Sequence, residues 1–86
     1  MATDAPARYA KQLGSHLGRR LTVVNEDSAT RILFDGGECR LVCGDNALHM
    51  YASGSSEEVL DRIEDVVGRH LERFGARAGL VVNWVR

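Results

Sequence analysis

Between Leu21 and Ala52 apolar and polar residues alternate at every second position, and on both sides of that block the spacing widens to three and four. The first pattern sends successive side chains to opposite faces of a strand, and the second gathers them on one side of a helix. Four strands fit inside the block: "LTVV", "TRILF", "ECRLVC" and "ALHMYA". The connections "NEDSA", "DGG" and "GDN" are rich in the residues that accept the backbone angles of tight hairpins. A turn on Gly36-Gly37 sets Phe34 opposite Cys39 and Ile32 opposite Leu41. A turn on Asp45-Asn46 sets Cys43 opposite Leu48 and Leu41 opposite Met50, and a loop over 26–29 sets Val23 opposite Ile32. All three registers keep the same residues on one face, an agreement that a slip of one residue would destroy.

A helix is predicted before the block and another after it. In the first, Thr3 and Asp4 are cap-type residues, Pro6 suits a first turn, and Tyr9, Leu13, His16 and Leu17 mark one face. Gly18 is its stop, and Arg19 and Arg20 suit the negative end of the helix dipole. In the second, Ser55 and Glu58 have capping-box spacing, apolar positions recur from Val59 to Phe74, and Gly75 closes about 19 residues of helix. Glu58 with Arg62 and Asp65 with Arg69 are i,i+4 pairs. The closing "LVVNWVR" reads as a strand, placed beside the first.

The predicted order is therefore α-β-β-β-β-α-β, an α+β two-layer sandwich with a mostly antiparallel five-stranded sheet and both helices on one face. Its 86 residues suit a single domain, 1–86. A net charge of -1 argues against a nucleic-acid partner, and no apolar run approaches the roughly 20 residues of a membrane helix. Only Cys39 and Cys43 are available for disulfides, and four residues of strand hold them about 13 Å apart. The opening lacks the basic and apolar regions of a signal peptide. A cytoplasmic protein is expected.

Candidate chemistry centres on the repeated Gly-x-His-Leu-x-Arg of "GSHLGR" and "GRHLER". Both His16 and His70 fall on the apolar stripes, so both are expected to point at the sheet. Gly14 and Gly68 are expected to bring the helices into contact beside them. Mostly buried imidazoles bonded to backbone or to each other are one reading, with no cofactor required. The alternative is an iron, zinc or haem site on His16 and His70 with Cys39 as third ligand. His49 lies on the other sheet face. The cysteines read as small core hydrophobes. With no nucleophile–base pair or paired carboxylates at a recognisable spacing, an enzyme is not expected.

The outward sheet face carries Arg31, Arg40 and an apolar set of Leu33, Val42, Tyr51, Val81 and Val85. Such a patch predicts a contact surface, and a homodimer through this face is the expected solution.

Three stretches, "RYAKQLGSHLGRR", a central "GxCxL" and "HLERFGARAGLVVNW", together resemble the bacterial family known as domain of unknown function 2218 over nearly the whole chain. The resemblance implies the same element order. Some relatives are extensions of flavin-dependent siderophore-interacting reductases, which implies a role, with a protein partner, near iron or siderophore handling. His16, Cys39, His70 and Trp84 match the family pattern. Gly14 and Ala10 depart from it, standing where relatives often carry a cysteine and a larger apolar residue. The expected function is a non-enzymatic binding or interaction module, with a small metal- or haem-binding protein as the alternative.

Overall fold

The computed structural model describes residues 1–85. Helix α1 spans Pro6–Leu17, strands β1 to β4 span Thr22–Asn25, Thr30–Phe34, Gly37–Cys43 and Leu48–Gly54, helix α2 spans Glu57–Phe74, and a 3-10 turn covers Ala76–Ala78. The strands form one antiparallel meander in the order β1-β2-β3-β4.

The β1–β2 and β3–β4 registers are those the alternation predicts, with Val23 opposite Ile32, Cys43 opposite Leu48 and Leu41 opposite Met50. The β2–β3 register is two residues away from the prediction: Ile32 faces Cys39, Thr30 faces Leu41 and Phe34 faces Gly37. The turn is made by Asp35-Gly36 instead of Gly36-Gly37, and Gly36 takes the positive φ of 85°. A shift of two keeps every side chain on its face, so the inner surface is unchanged. Ile32, Cys39, Leu41 and Leu48 are buried there against Leu13 and Leu17 of α1 and Ile63, Val67 and Leu71 of α2.

The helix ends differ in detail. Ala5 occupies the cap position of α1 without a side-chain bond, Pro6 begins the helix, and Thr3 Oγ1 accepts the Ala5 N–H. Ser56, not Ser55, caps α2, its hydroxyl accepting the Val59 N–H. The Asp65–Arg69 pair forms at 2.6 Å.

The expected fifth strand is absent among the described residues, and the sheet has four. Gly79 turns the chain back with a φ of 69°, Leu80 folds over Gly75, and residues 80–85 run antiparallel along a flank of α2. Val82 and Trp84 approach Gly68 there, and the Val82 N–H donates to Glu72 Oε2 at 3.0 Å. An apolar segment can satisfy its hydrophobic side on a helix as well as on a sheet, and here the helix takes it. This also corrects the role given to the two glycines. A Cβ on Gly14 would face Val23 and Thr30 of the sheet, whereas one on Gly68 would face Trp84 and Val82, so they do not form a helix–helix contact.

Two substitutions separate open from closed positions. A Cβ at Gly14 would meet ordinary contacts of 3.5 and 3.6 Å, so Gly14→Ala should raise stability by about 0.5–1 kcal/mol through helix propensity. At Gly37 the Cβ would collide with the Ser53 carbonyl and lie 2.8 Å from Ile63 Cδ1, so Gly37→Ala should cost about 1–3 kcal/mol. Urea unfolding midpoints at constant slope check both signs.

Candidate functional site

His16 lies in the last turn of α1, one position before the buried Leu17. One residue turns a helix by about 100°, which carries His16 off the stripe and onto the flank that faces α2. It is exposed, and His70, on the corresponding border of α2, is half-buried. Neither histidine is a core residue, which corrects the expectation of inward-pointing imidazoles. The expected neighbourhood nonetheless exists. The two ring centroids are 4.9 Å apart, and Phe74 completes a three-ring cluster at 5.6 Å from His16 and 6.2 Å from His70.

His70 Nδ1 lies 2.6 Å from the Val66 carbonyl. A carbonyl can only accept, so Nδ1 carries the hydrogen, and in the neutral ring Nε2 keeps its lone pair. The third expected metal ligand does not join. Cys39 sits in the middle of β3, between Ile32 and Ala52, wholly inaccessible beneath the helices. Among the described residues no three His, Cys, Asp or Glu side chains come together as metal ligands, so the trio of His16, His70 and Cys39 is not assembled. Burial, with a smaller contribution from the Glu38 charge, pushes the Cys39 thiol up to about 12. Cys43, at the end of β3, is exposed and not a core residue as expected.

Beside the imidazoles lies a cleft of about 600 Å³ between the end of α1 and the middle of α2. Leu17, Leu21, Phe34 and Val66 are its apolar lining. Arg19, Arg20 and Arg62 join His16 and His70 as its polar lining, and no acidic residue among the described ones lines it. The arginines are the part of the site that sequence reasoning missed. Arg19 and Arg20 have a sufficient local explanation in the helix dipole, and Arg62 in its spacing from Glu58. The available signal was the row Arg62, Val66, His70, four residues apart on one side of α2. Three exposed arginines beside a partly apolar floor attract anions, with the attraction strongest at low salt.

The outer sheet face is a less uniform surface than predicted. Val81 and Val85 are exposed on the segment along α2, so they do not join Leu33, Val42 and Tyr51 on the sheet. Leu33 and Val42 are half-buried, and Tyr51 is exposed. Arg31, Arg40 and Tyr51 stand in one cross-strand row. Like charges so placed repel, and each arginine turns aside. Arg31 binds both Glu38 carboxylate oxygens, at 2.7 and 3.0 Å, while Arg40 lies 5.1 Å from the centre of the Tyr51 ring. The Glu38 carboxyl is held below its ordinary value, first by the Arg31 hydrogen bond.

The sequence profile of DUF2218, described as an uncharacterised protein conserved in bacteria, matches residues 1–85. The fold is similar to the NMR structure of PA4090 from Pseudomonas aeruginosa, at 27% identity and a TM-score of 0.73, over 86% of this chain and 77% of that one. No curated protein matches the chain. No helix among the described residues is long and apolar enough to cross a membrane.

The two cysteines should behave oppositely. A thiol reagent should modify Cys43 in the folded protein and reach Cys39 only on unfolding. The unfolded chain loses the Cys39 proton near 9.0, but the folded chain keeps it to about 12. Its stabilising contribution is therefore complete below pH 9.0 and is lost as pH rises toward 12, by up to about 1.4 kcal/mol per pH unit. Urea unfolding between pH 8 and 11 should show a slope that Cys39→Ala reduces.

Proposed function

The chain belongs to the bacterial DUF2218 family, and on that premise we propose that it is a non-enzymatic binding module whose basic cleft takes small anions carrying an apolar body. The observation that supports this is the segregation of charge. The chain contains 12 acidic residues and has a net charge of -1, yet the cleft lining holds three arginines, two histidines and no acid. A ligand with one apolar part and one or two carboxylate, phosphate or phenolate groups would cover the floor of Leu17, Leu21, Phe34 and Val66 and pair with the arginine fork.

The same lining disfavours a bare metal cation, which would meet two imidazole donors and the repulsion of three guanidinium groups. Iron carried inside an anionic organic molecule is a different matter. A ferric siderophore or haem belongs to the ligand class proposed, and an accessory role in iron handling would act through this cleft. His16 and His70 would then line the ligand, with the free Nε2 of His70 as an acceptor.

An NMR titration with 2-naphthoate, with neutral 2-naphthamide as control, tests the charge requirement. The acid should shift the amides of Leu17, Leu21, Val66 and His70, and the amide should leave them nearly unmoved. Arg62→Ala should weaken naphthoate binding about tenfold, the value of one charge-assisted contact. Equal response to both compounds, or none, contradicts the reading. Stoichiometric zinc uptake that disappears in a His16→Ala, His70→Ala double variant would establish the metal alternative instead.

A further inference from the structure

Strand β1 is one edge of the sheet and β4 the other. At β4 the first residues cover the start of the strand. Ala2 bridges Ala47, the Thr3 N–H donates to the Asn46 carbonyl, and Met1 and Leu48 exchange two bonds of 3.0 and 2.8 Å. Nothing equivalent covers β1 among the described residues. The phase of its hydrogen bonds follows from the Glu26 N–H, which donates to the Ala29 carbonyl at 2.8 Å. Bonded and non-bonded pairs alternate along an antiparallel ladder. Val24 and Thr22 therefore bond to β2, while Val23 and Asn25 turn their N–H and C=O groups to the open side.

We propose that β1 pairs antiparallel with β1 of a second copy of this chain, about a two-fold axis normal to the sheet, with Val23 opposite Val23. The surrounding sequence is self-complementary in that arrangement. "RRLTVVNED" has two bases before the strand, two acids after it and no charge between. Antiparallel pairing centred on Val23 sets Arg20 of each copy opposite Glu26 of the other, and Arg19 opposite Asp27. The register is set by the backbone as well, because Val23 opposite itself exchanges two hydrogen bonds with the groups that β2 leaves free. A shift of one residue would put the helices of the two copies on opposite sides of the joint sheet.

Two further features agree. Edge strands that stay solitary are normally protected by shortness, lysine, proline or an inward charge; "TVVN" is short, at four residues, but carries none of the protective side chains. A cleft of about 700 Å³ opens beside the same strand, between the α1 flank of Ala7, Ala10, Lys11 and Gly14 and the 26–29 loop. Apart from Lys11, that flank is made of small residues beside the open edge. The contact thus uses a strand edge, where the alternation of the sequence pointed to the outer face.

Sedimentation equilibrium over micromolar to millimolar concentration tests it. The mass should rise toward twice the 9.5 kDa of one chain. Arg20→Glu should raise the dimer Kd about tenfold by facing Glu26, and adding Glu26→Arg should restore it to within a few-fold. Tyr51→Ser, on the outer face, should change nothing. A protein that stays monomeric throughout, a dimer indifferent to Arg20→Glu, or a dimer lost with Tyr51→Ser overturns the proposal. Pairing engages Arg19 and Arg20 at the rim of the basic cleft and leaves Arg62 to it. The naphthoate titration reads Arg62 and sedimentation reads mass, so either test can fail without the other.

Discussion

The whole arrangement depends on a sheet with one apolar face. Ile32, Cys39, Leu41 and Leu48 from the sheet meet Leu13, Ile63, Val67 and Leu71 from the helices, and each is 1% exposed or less. Each fully buried large aliphatic side chain is worth about 1.5–3 kcal/mol, so a one-residue slip, which would exchange the two faces, costs far more than any turn preference can return. Charge is consequently driven to the periphery: to the rim between the helices, to the outer sheet face and to the ends of β1. The cleft and the open edge are both products of that exclusion.

How the two outward-looking regions differ matters for function. On the outer sheet face the arginines are already answered, one by Glu38 and the other by the Tyr51 ring. In the cleft Arg19, Arg20 and Arg62 line an apolar floor, and no acid among the described residues lines it. A surface whose charges are paired internally gives a ligand little to compete for, whereas one sign of charge beside apolar area leaves a site incomplete. That contrast is why a binding role falls to the helix side of the molecule.

Alternation made the meander legible, because the period of two is enforced by burial on one side. The β2–β3 register was two residues out since "DGG" offers two turns of equal chemistry. Only the structure shows that Gly37 is needed inside the strand, where Ser53 and Ile63 leave no space for a side chain. "LVVNWV" is ambiguous for a related reason: β-branched apolar residues look alike whether they pair with a strand or pack on a helix. Here the helix takes the segment, with Val82 and Trp84 lying against Gly68 on the flank of α2. The imidazole pair was visible in the repeated Gly-x-His-Leu-x-Arg motif, but not its exposure, because stripe borders are set by the angle at which a helix lies on its sheet. The bridge from Ala2 to Ala47 left no sequence signal, since two alanines carry no pairing preference.

The position of the last segment decides whether the sheet has four strands and whether β1 is free. A NOESY spectrum of the protein measures it. A cross-peak from the Trp84 indole N–H to the Gly68 α-protons, together with none from residues 81–85 to Thr22–Asn25, is the predicted result. Cross-strand contacts between 81–85 and β1 would contradict the account, closing the edge and restoring a fifth strand.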